Sequence, residues 1–263
     1  MIIKSANTTQ YNMREYLAFI GASLLEDKKS VFVGTGLPII ATMLAQKTHA
    51  PNLLTVFEAG GIGPLLPELP ISVGESRTFY RGIMATSMHD VMSLSQAGYI
   101  DYGFLGAAQI DIHGNINTTV IGNHSHPKVR LPGSGGANDV GSFSHRLIII
   151  IANQSKRTFV NKVDFLTTPG YLDGAGARER AGLPRDTGPY RVITQLGIYD
   201  FDEITKRFRL LSLHPGITIK DVLENSSFDI ILPDKIEESP EPTIKHLKIL
   251  REEIDPAGIV LGK

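Results

Sequence analysis

Apolar positions along the chain recur with two periods, and their alternation predicts the order of elements. Met13, Tyr16, Leu17, Ile20 and Leu24 fall three and four residues apart, so Tyr11–Asp27 reads as a covering helix with one buried face. SVFVGTG follows as a short apolar strand ended by Gly34 and Gly36. Pro38 then stands at a first helical position, and a helix runs to about His49 with Leu37, Ile40, Met43 and Leu44 inward. LLTVFE (Leu53–Glu58) has almost no polar alternation, as expected of a parallel strand buried on both faces. Strand, helix, strand at this spacing is a βαβ unit. The pattern repeats with a strand near Thr78–Gly82, a helix near Thr86–Ala97 and the apolar strand YGFLG at Tyr102–Gly106.

From Asp111 to Ala137 the periodicity stops, and HGNINTT, GNHSHP and LPGSGGAN carry the residues of long loops and short strands. Loops of that length usually hold function. Leu147–Asn153 (LIIIIAN) restores a core strand, and RTFVNKVDFLTTPG, YRVITQLGIYDF and KRFRLLSLHPG read as further strands and hairpins. A helix near Ile219–Asn225, a polar connection ILPDKIEESPEP and a last helix over Thr243–Glu253, with Ile244, Leu247 and Leu250 inward, complete the chain. The expected fold is α/β: one domain over residues 1–263, with an open, mostly parallel sheet flanked by helices and extra hairpins in the C-terminal half. No internal repeat is visible.

Composition narrows the function. The 263 residues carry 26 basic and 27 acidic side chains, a net charge of -1, which argues against nucleic acid as a partner. There is no cysteine, so disulfides, zinc-finger or iron–sulfur ligation and a thiol nucleophile are excluded for this chain. The longest wholly apolar run, Leu147–Ala152, is far short of the roughly 20 residues of a membrane span, and MIIKSANTTQ lacks the apolar core of a signal peptide. A cytoplasmic protein with no membrane contact is expected.

Three places could hold chemistry. Glu58 stands at the carboxyl end of an apolar strand and runs straight into glycines, where open α/β sheets place ligands; an ordinary turn-capping acid would look the same. GSGGAN (Gly133–Asn138) lets consecutive backbone N–H groups point into one concavity for an anion, or is simply a flexible or tight turn. VGTGLP, with Gly34 and Gly36, leads into a helix N-terminus able to hold a carboxylate or acyl oxygen, or is simply a good helix start. Lys128 and Arg130 flank the glycine loop and either meet phosphates or are solvated loop charges, the commoner case. His124 and His126 lack a third ligand cluster, so no metal is expected, and Arg178 and Arg180 in DGAGARERAG mark either a ligand or subunit contact or a charged turn.

Taken in order from about Val31 to the C-terminus, VGTGLP, FEAGG, FLGAAQID, HGNINTT, HPKVRLPGSGGAND, RTFVNKVDFLTTPGYLDG, ARERAGLPRDTGP and REEIDP resemble the beta subunits of glutaconate CoA-transferases, within the class I CoA-transferases. The resemblance implies a CoA-transferase-like fold and a catalytic glutamate at Glu58. It also implies a glycine loop beside the active site, with Gly135, Gly136 and Ala137 as oxyanion contacts, and coenzyme A as substrate and covalent intermediate rather than as a permanent cofactor. A separate alpha subunit is implied too, in a heteromer whose size stays open between a heterodimer, an A2B2 heterotetramer and a larger assembly, acting on short dicarboxylic or related acyl-CoAs. Two other readings stay open: a CoA-thioester hydrolase or C–C-cleaving enzyme of the same superfamily with Glu58 as general base, and a non-catalytic ligand-binding or sensor module.

Overall fold

The computed structural model describes residues 2–4 and 10–262; Met1 and residues 5–9 of the opening MIIKSANTTQ segment lie outside the described residues. The chain forms two compact units, one made of the N-terminal part up to Phe104 with the C-terminal stretch from Pro240, the other Leu105–Ser239.

In the first unit, β1 (Ile2–Lys4) pairs antiparallel with β2 (Gln10–Asn12), and α1 (Met13–Ser23) starts where the Asn12 side chain and Glu15 form a reciprocal cap. The expected one-sided burial of α1 is corrected: every residue from Glu15 to Ala22 is buried, with α2 (Leu37–Thr48) packed against the helix. Arg251 donates to both Glu15 carboxylate oxygens at 2.6 and 2.9 Å, which compensates the one acid buried on that helix. β3 (Ser30–Val33) runs parallel to β4 (Leu54–Phe57) on one side and to β7 (Tyr102–Gly106) on the other. β5 (Gly61–Ile62) folds back antiparallel on β4, and β6 (Met84–Ala85) on β5. The strand expected near Thr78–Gly82 is instead a short 3₁₀ turn, Ser76–Phe79, whose Thr78 hydroxyl donates to Glu75 C=O at 2.7 Å. α3 (Met88–Gln96) follows the Ser87–Asp90 capping box.

In the second unit, β8 (Gln109–Ile110) pairs with β9 (Ile116–Asn117), and β10 (Val120–Gly122) with β11 (Pro127–Arg130), both antiparallel. α4 (Ala137–Phe143) leads to β12 (Arg146–Ile151), buried from Leu147 onward, so each of its isoleucines contributes about 1.5–3 kcal/mol of apolar burial. After α5 (Ala177–Arg180), β13 (Pro189–Thr194) joins β12 in parallel. β14 (Gly197–Phe201) and β15 (Phe208–Leu213) extend the sheet antiparallel, which confirms the expected C-terminal hairpins. α6 (Ile219–Glu224) and β16 (Glu237–Glu238), parallel to β15, end the unit. Phe159, Tyr199, Phe208 and Phe228 form one aromatic cluster with ring centroids 5.4–5.9 Å apart. The stretch RTFVNKVDFLTTPG is not a hairpin: its backbone pairs with strands at isolated bridges, at Phe159 and Thr168, and the Asp164 N–H donates to the Gln109 side chain rather than to a ladder.

Back in the first unit, α7 (Ile244–Lys248) widens into a π-helical turn over Ile249–Ile254. Leu247 and Leu250 are buried as expected, whereas Ile244, at the first helical position, is 73% exposed. Asp255 closes the segment by accepting N–H bonds from Ile259, Val260 and Leu261, each at 2.8 Å. Both units are α/β, with open sheets flanked by helices.

Candidate active site

Glu58 is the first residue after β4. The register Val33↔Phe57 between parallel β3 and β4 sets Gly34 beside it, so both stand in one row at the carboxyl ends of adjacent strands, with α2 starting just beyond. The turn that carries Glu58 closes when the Gly60 N–H donates to the Phe57 carbonyl at 2.9 Å. Gly60 has φ +113°, and a Cβ there would run into the Thr86 carbonyl oxygen; a Cβ on Gly61 would strike that of Thr78. The two glycines of FEAGG thus let the chain leaving β4 lie directly against Thr78 and Thr86. The Thr86 N–H in turn donates to Gly60 C=O at 2.9 Å. Asp90 secures this support by accepting from the Thr86 and Ser87 hydroxyls at 2.5 and 2.7 Å, and those bonds hold its carboxyl down at about 2.

The Glu58 side chain is half-buried, and among the described residues its carboxylate has no hydrogen-bond or ion-pair partner. A carboxylate that is not engaged by a cation keeps its nucleophilic oxygens available. Nearby, α2 begins at Gly36, whose φ of +81° permits the turn, with no side-chain cap and no acidic residue in the first turn. Its first N–H groups and positive dipole end are therefore left for an oxygen of other origin.

The glycine loop belongs to the second unit. The Gly133 N–H donates to Thr118 C=O at 2.9 Å and the Thr118 hydroxyl donates to Gly133 C=O at 2.8 Å, which pins the loop base. Gly133 and Gly135 take φ of +98° and +47°, and Ala137 N–H donates to Ser134 C=O at 2.9 Å, so Gly135 and Gly136 form a turn that opens α4.

Known proteins share the sequence and the fold. The Coenzyme A transferase family profile matches residues 17–225. The chain is 40% identical over 258 residues to the B-type subunit of glutaconate CoA-transferase from Acidaminococcus fermentans, covering 95% of each. The chain belongs to the coenzyme A transferase family. It is also 39% identical over 242 residues to the B-type subunit of 3-oxoadipate CoA-transferase from Pseudomonas knackmussii, covering 92% of each. The crystal structure of glutaconate coenzyme A-transferase from A. fermentans superimposes with a TM-score of 0.91 at 38% identity, over 96% of this chain and 98% of that one. The chain is thus an enzyme subunit, a CoA-transferase of the B type, with coenzyme A as substrate.

Within this CoA-transferase subunit, Gly34, Gly36 and Glu58 come together at the strand ends of the first unit, while Gly135, Gly136 and Ala137 form the start of α4 in the second. Lys128 and Arg130 are exposed on β11, two residues apart, with Arg130 donating to His124 C=O at 3.1 Å. His124 stacks on Phe165 with centroids 5.3 Å apart, and among the described residues no group of three or more His, Asp or Glu side chains could hold a metal ion. Arg178 is a structural staple: buried, it donates to the carbonyls of Pro169, Gly170, Gly141 and Ser142 and to the Thr187 hydroxyl, tying the last turn of α4 to two loops. Arg180 is exposed.

HGNINTT is scaffold as well. Asp111 accepts from the His113 and Asn115 N–H groups and from the Asn115 amide, and Asn115 in turn receives the N–H groups of Gly170 and Leu172. Cavities of about 400 Å³ in the first unit, around Tyr11, Glu15 and Arg251, and of about 380 Å³ in the second, around Tyr171, Arg178 and Lys206, do not include Glu58. Sequence reasoning missed the Thr78, Thr86 and Asp90 support. Its one legible signal was Ser87-Met-His-Asp90, a capping-box spacing.

Proposed function

We propose that Glu58 is the nucleophile of CoA transfer in this subunit and that the enzyme moves CoA between a short dicarboxylic or related acyl-CoA and a free carboxylate. One observation carries the reading: Glu58 stands uncommitted on a braced turn at the end of a parallel strand, in the row with Gly34 and before the uncapped start of α2. A carboxylate suits the reaction, because exchanging one thioester for another through an anhydride keeps each intermediate at a similar free energy. The Glu58 carboxylate attacks the acyl-CoA carbonyl, the C–S bond breaks, and a mixed anhydride and CoA thiolate form. The thiolate then attacks the Glu58 carbonyl of the anhydride, releasing the acyl carboxylate and leaving a glutamyl-CoA thioester. The acceptor acid takes the CoA by the reverse sequence, giving ping-pong kinetics.

Each tetrahedral centre bears an oxyanion, and one fixed donor to such a centre is worth roughly 3–4 kcal/mol. Backbone N–H groups at Gly34–Gly36 are the proposed donors in the first unit. In the second, the Gly135, Gly136 and Ala137 turn is proposed to hold a substrate oxygen, and Lys128 and Arg130 are proposed CoA-phosphate contacts. The active enzyme is proposed to require an alpha-type companion subunit in a heteromeric assembly.

Incubation of the complex with acyl-CoA alone, followed by intact-mass measurement and peptide mapping, should place CoA on Glu58. Glu58→Ala should remove the adduct and lower transfer by about 10³-fold or more. An unchanged rate without adduct would sink the reading, and free CoA accumulating with no acceptor acid would turn it toward hydrolysis. Lys128→Ala with Arg130→Ala should raise KM for the CoA ester about fivefold at nearly constant kcat, the effect of losing about 1 kcal/mol of exposed charge pairing.

A further inference from the structure

The cavity of about 380 Å³ in the second unit is lined from residues 145–206 and contains none of the residues given a part in CoA transfer. Its volume falls within the range of about 300–1,000 Å³ usual for small-molecule sites. Two cations stand in its wall, Arg178 and Lys206. Arg178 is 3% exposed, yet every acceptor it meets is neutral: four backbone carbonyls and the Thr187 hydroxyl take the hydrogens of its two terminal nitrogens. Its Nε is buried and, among the described residues, has no acceptor. Buried charges are ordinarily paired, and here burial without a counter-charge pulls the guanidinium below its usual range. Lys206 is held in place by its backbone, whose N–H donates to Asp202 C=O at 2.9 Å and whose C=O accepts from His113 Nδ1 at 2.8 Å; its ammonium lies 5.2 Å from the centroid of the Tyr171 ring. Among the described residues neither cation forms an ion pair.

We propose that this cavity is a second ligand site, one that takes a small oxyanion, a carboxylate or a phosphate, with Arg178 Nε and the Lys206 ammonium as its donors. The anion supplies the counter-charge that Arg178 lacks and accepts the one guanidinium hydrogen left over from the bonds to the carbonyls. A cationic ligand would only add to the two charges already present. The backbone leaves room for it: a Cβ on Gly188, which lines the cavity at φ +118°, would stand 3.0 Å from both Cζ and Nε of Arg178, so glycine keeps a side chain from covering the guanidinium beside its unpartnered nitrogen. Two carboxylates, Glu179 and Asp186, also line the cavity, but both residues are exposed, so water and salt screen them and the buried charge stays uncompensated. Since the guanidinium is already fixed by its bonds to the carbonyls, binding costs freedom mainly at the Lys206 side chain. The site is independent of the role given to Glu58, and its test reads binding rather than transfer.

Calorimetry on the full chain with sodium phosphate and with sodium glutarate, each against sodium chloride at equal ionic strength, should give saturable binding for at least one of the two, and the one that binds tells a phosphate from a carboxylate. Lys206→Gln should weaken that binding about tenfold, the usual worth of a hydrogen bond to a charged group. Glu179→Gln, which removes an exposed like charge from the wall, should tighten it about twofold. Lys220→Gln, at an exposed lysine of α6 in the same unit, should leave it within twofold. Arg178 itself is left in place, because its bonds to the carbonyls make folding depend on it. Hydrogen exchange on the unsubstituted chain, with the binding anion at saturation, should show added protection over 170–190. No binding of either anion beyond the chloride control overturns the proposal. So does wild-type affinity in Lys206→Gln, which would move the anion to another site such as that of Glu58, and so does an equal loss in Lys206→Gln and Lys220→Gln, which would mark unspecific attraction. Protection confined to segments outside 170–190 overturns it as well.

Discussion

Glu58 owes its position to residues that have no part in the chemistry. Gly60 and Gly61 matter for what they lack, because a methyl group on either would collide with a backbone carbonyl, which cannot rotate away as a side-chain tip can. Gly60→Ala adds strain at φ +113°, and the two effects together should cost about 3 kcal/mol of stability by urea unfolding, with transfer activity falling further than stability alone explains. A wild-type melting curve for that variant would contradict the packing described. Glu58→Asp keeps the charge but withdraws the carboxylate by one methylene. A misplacement of about 1 Å typically costs about 100-fold, so kcat should fall by that order while the unfolding midpoint stays unchanged.

At the level of elements, the site depends on where β4 stops and on what props the turn beyond it. The Ser87–Asp90 box starts α3 and at the same time fixes Thr86, whose carbonyl backs Gly60. Ser87→Ala should therefore lose about 1 kcal/mol in thermal melts, the usual worth of an N-cap, and should also lower kcat at constant KM through a loosened Glu58 turn. A drop in stability with unaltered kcat would leave Ser87 as a cap and nothing more. The elements read correctly from sequence, β3, α2, β4, β7, β12 and the β13–β15 meander, are those whose apolar runs are long and end at glycine, proline or a polar turn. The misread ones are short and partly polar: Thr78–Gly82 has strand-forming residues but became a 3₁₀ turn under the Thr78 hydroxyl, and residues 157–170 meet strands at isolated bridges while the N–H groups of Asp164 and Gly170 donate to the side chains of Gln109 and Asn115.

Across the whole molecule, stability should depend on pH through a buried histidine far in sequence from Glu58. His214 lies between Thr194 C=O, 2.8 Å from Nε2, and the Ser239 hydroxyl, 3.0 Å from Nδ1. The carbonyl can only accept, so Nε2 carries the proton and Nδ1 accepts from Ser239. Burial pushes the ring down to about 4, below the ordinary 6.5, so the folded protein keeps it neutral while the unfolded chain protonates it. The full contribution is present above pH 6.5 and is lost as pH falls toward 4, by up to about 3 kcal/mol. His214→Asn should flatten that part of the stability curve; identical slopes for variant and wild type between pH 6.5 and 4 would refute the assignment. The difference between the two curves, rather than either alone, is the quantity to measure.

The sequence by itself determined the α/β class, the βαβ start and the family, because periodicity and ordered motifs are local properties of the chain. It also singled out Glu58, since an acid between an apolar strand and two glycines is visible without coordinates, and it excluded a thiol nucleophile by containing none. It could not tell which conspicuous residues are scaffold. Arg178 and the HGNINTT segment stand out in a linear text, and only the buried bonds of Arg178 and Asn115 to distant carbonyls and N–H groups show them to be braces. Nor could it show that Thr78 and Thr86 press on the Glu58 turn, or that the apolar residues between 65 and 88 face outward. Those facts arise from approaches between segments 17 to 26 residues apart, and side-chain burial is decided by that packing rather than by the order of residues.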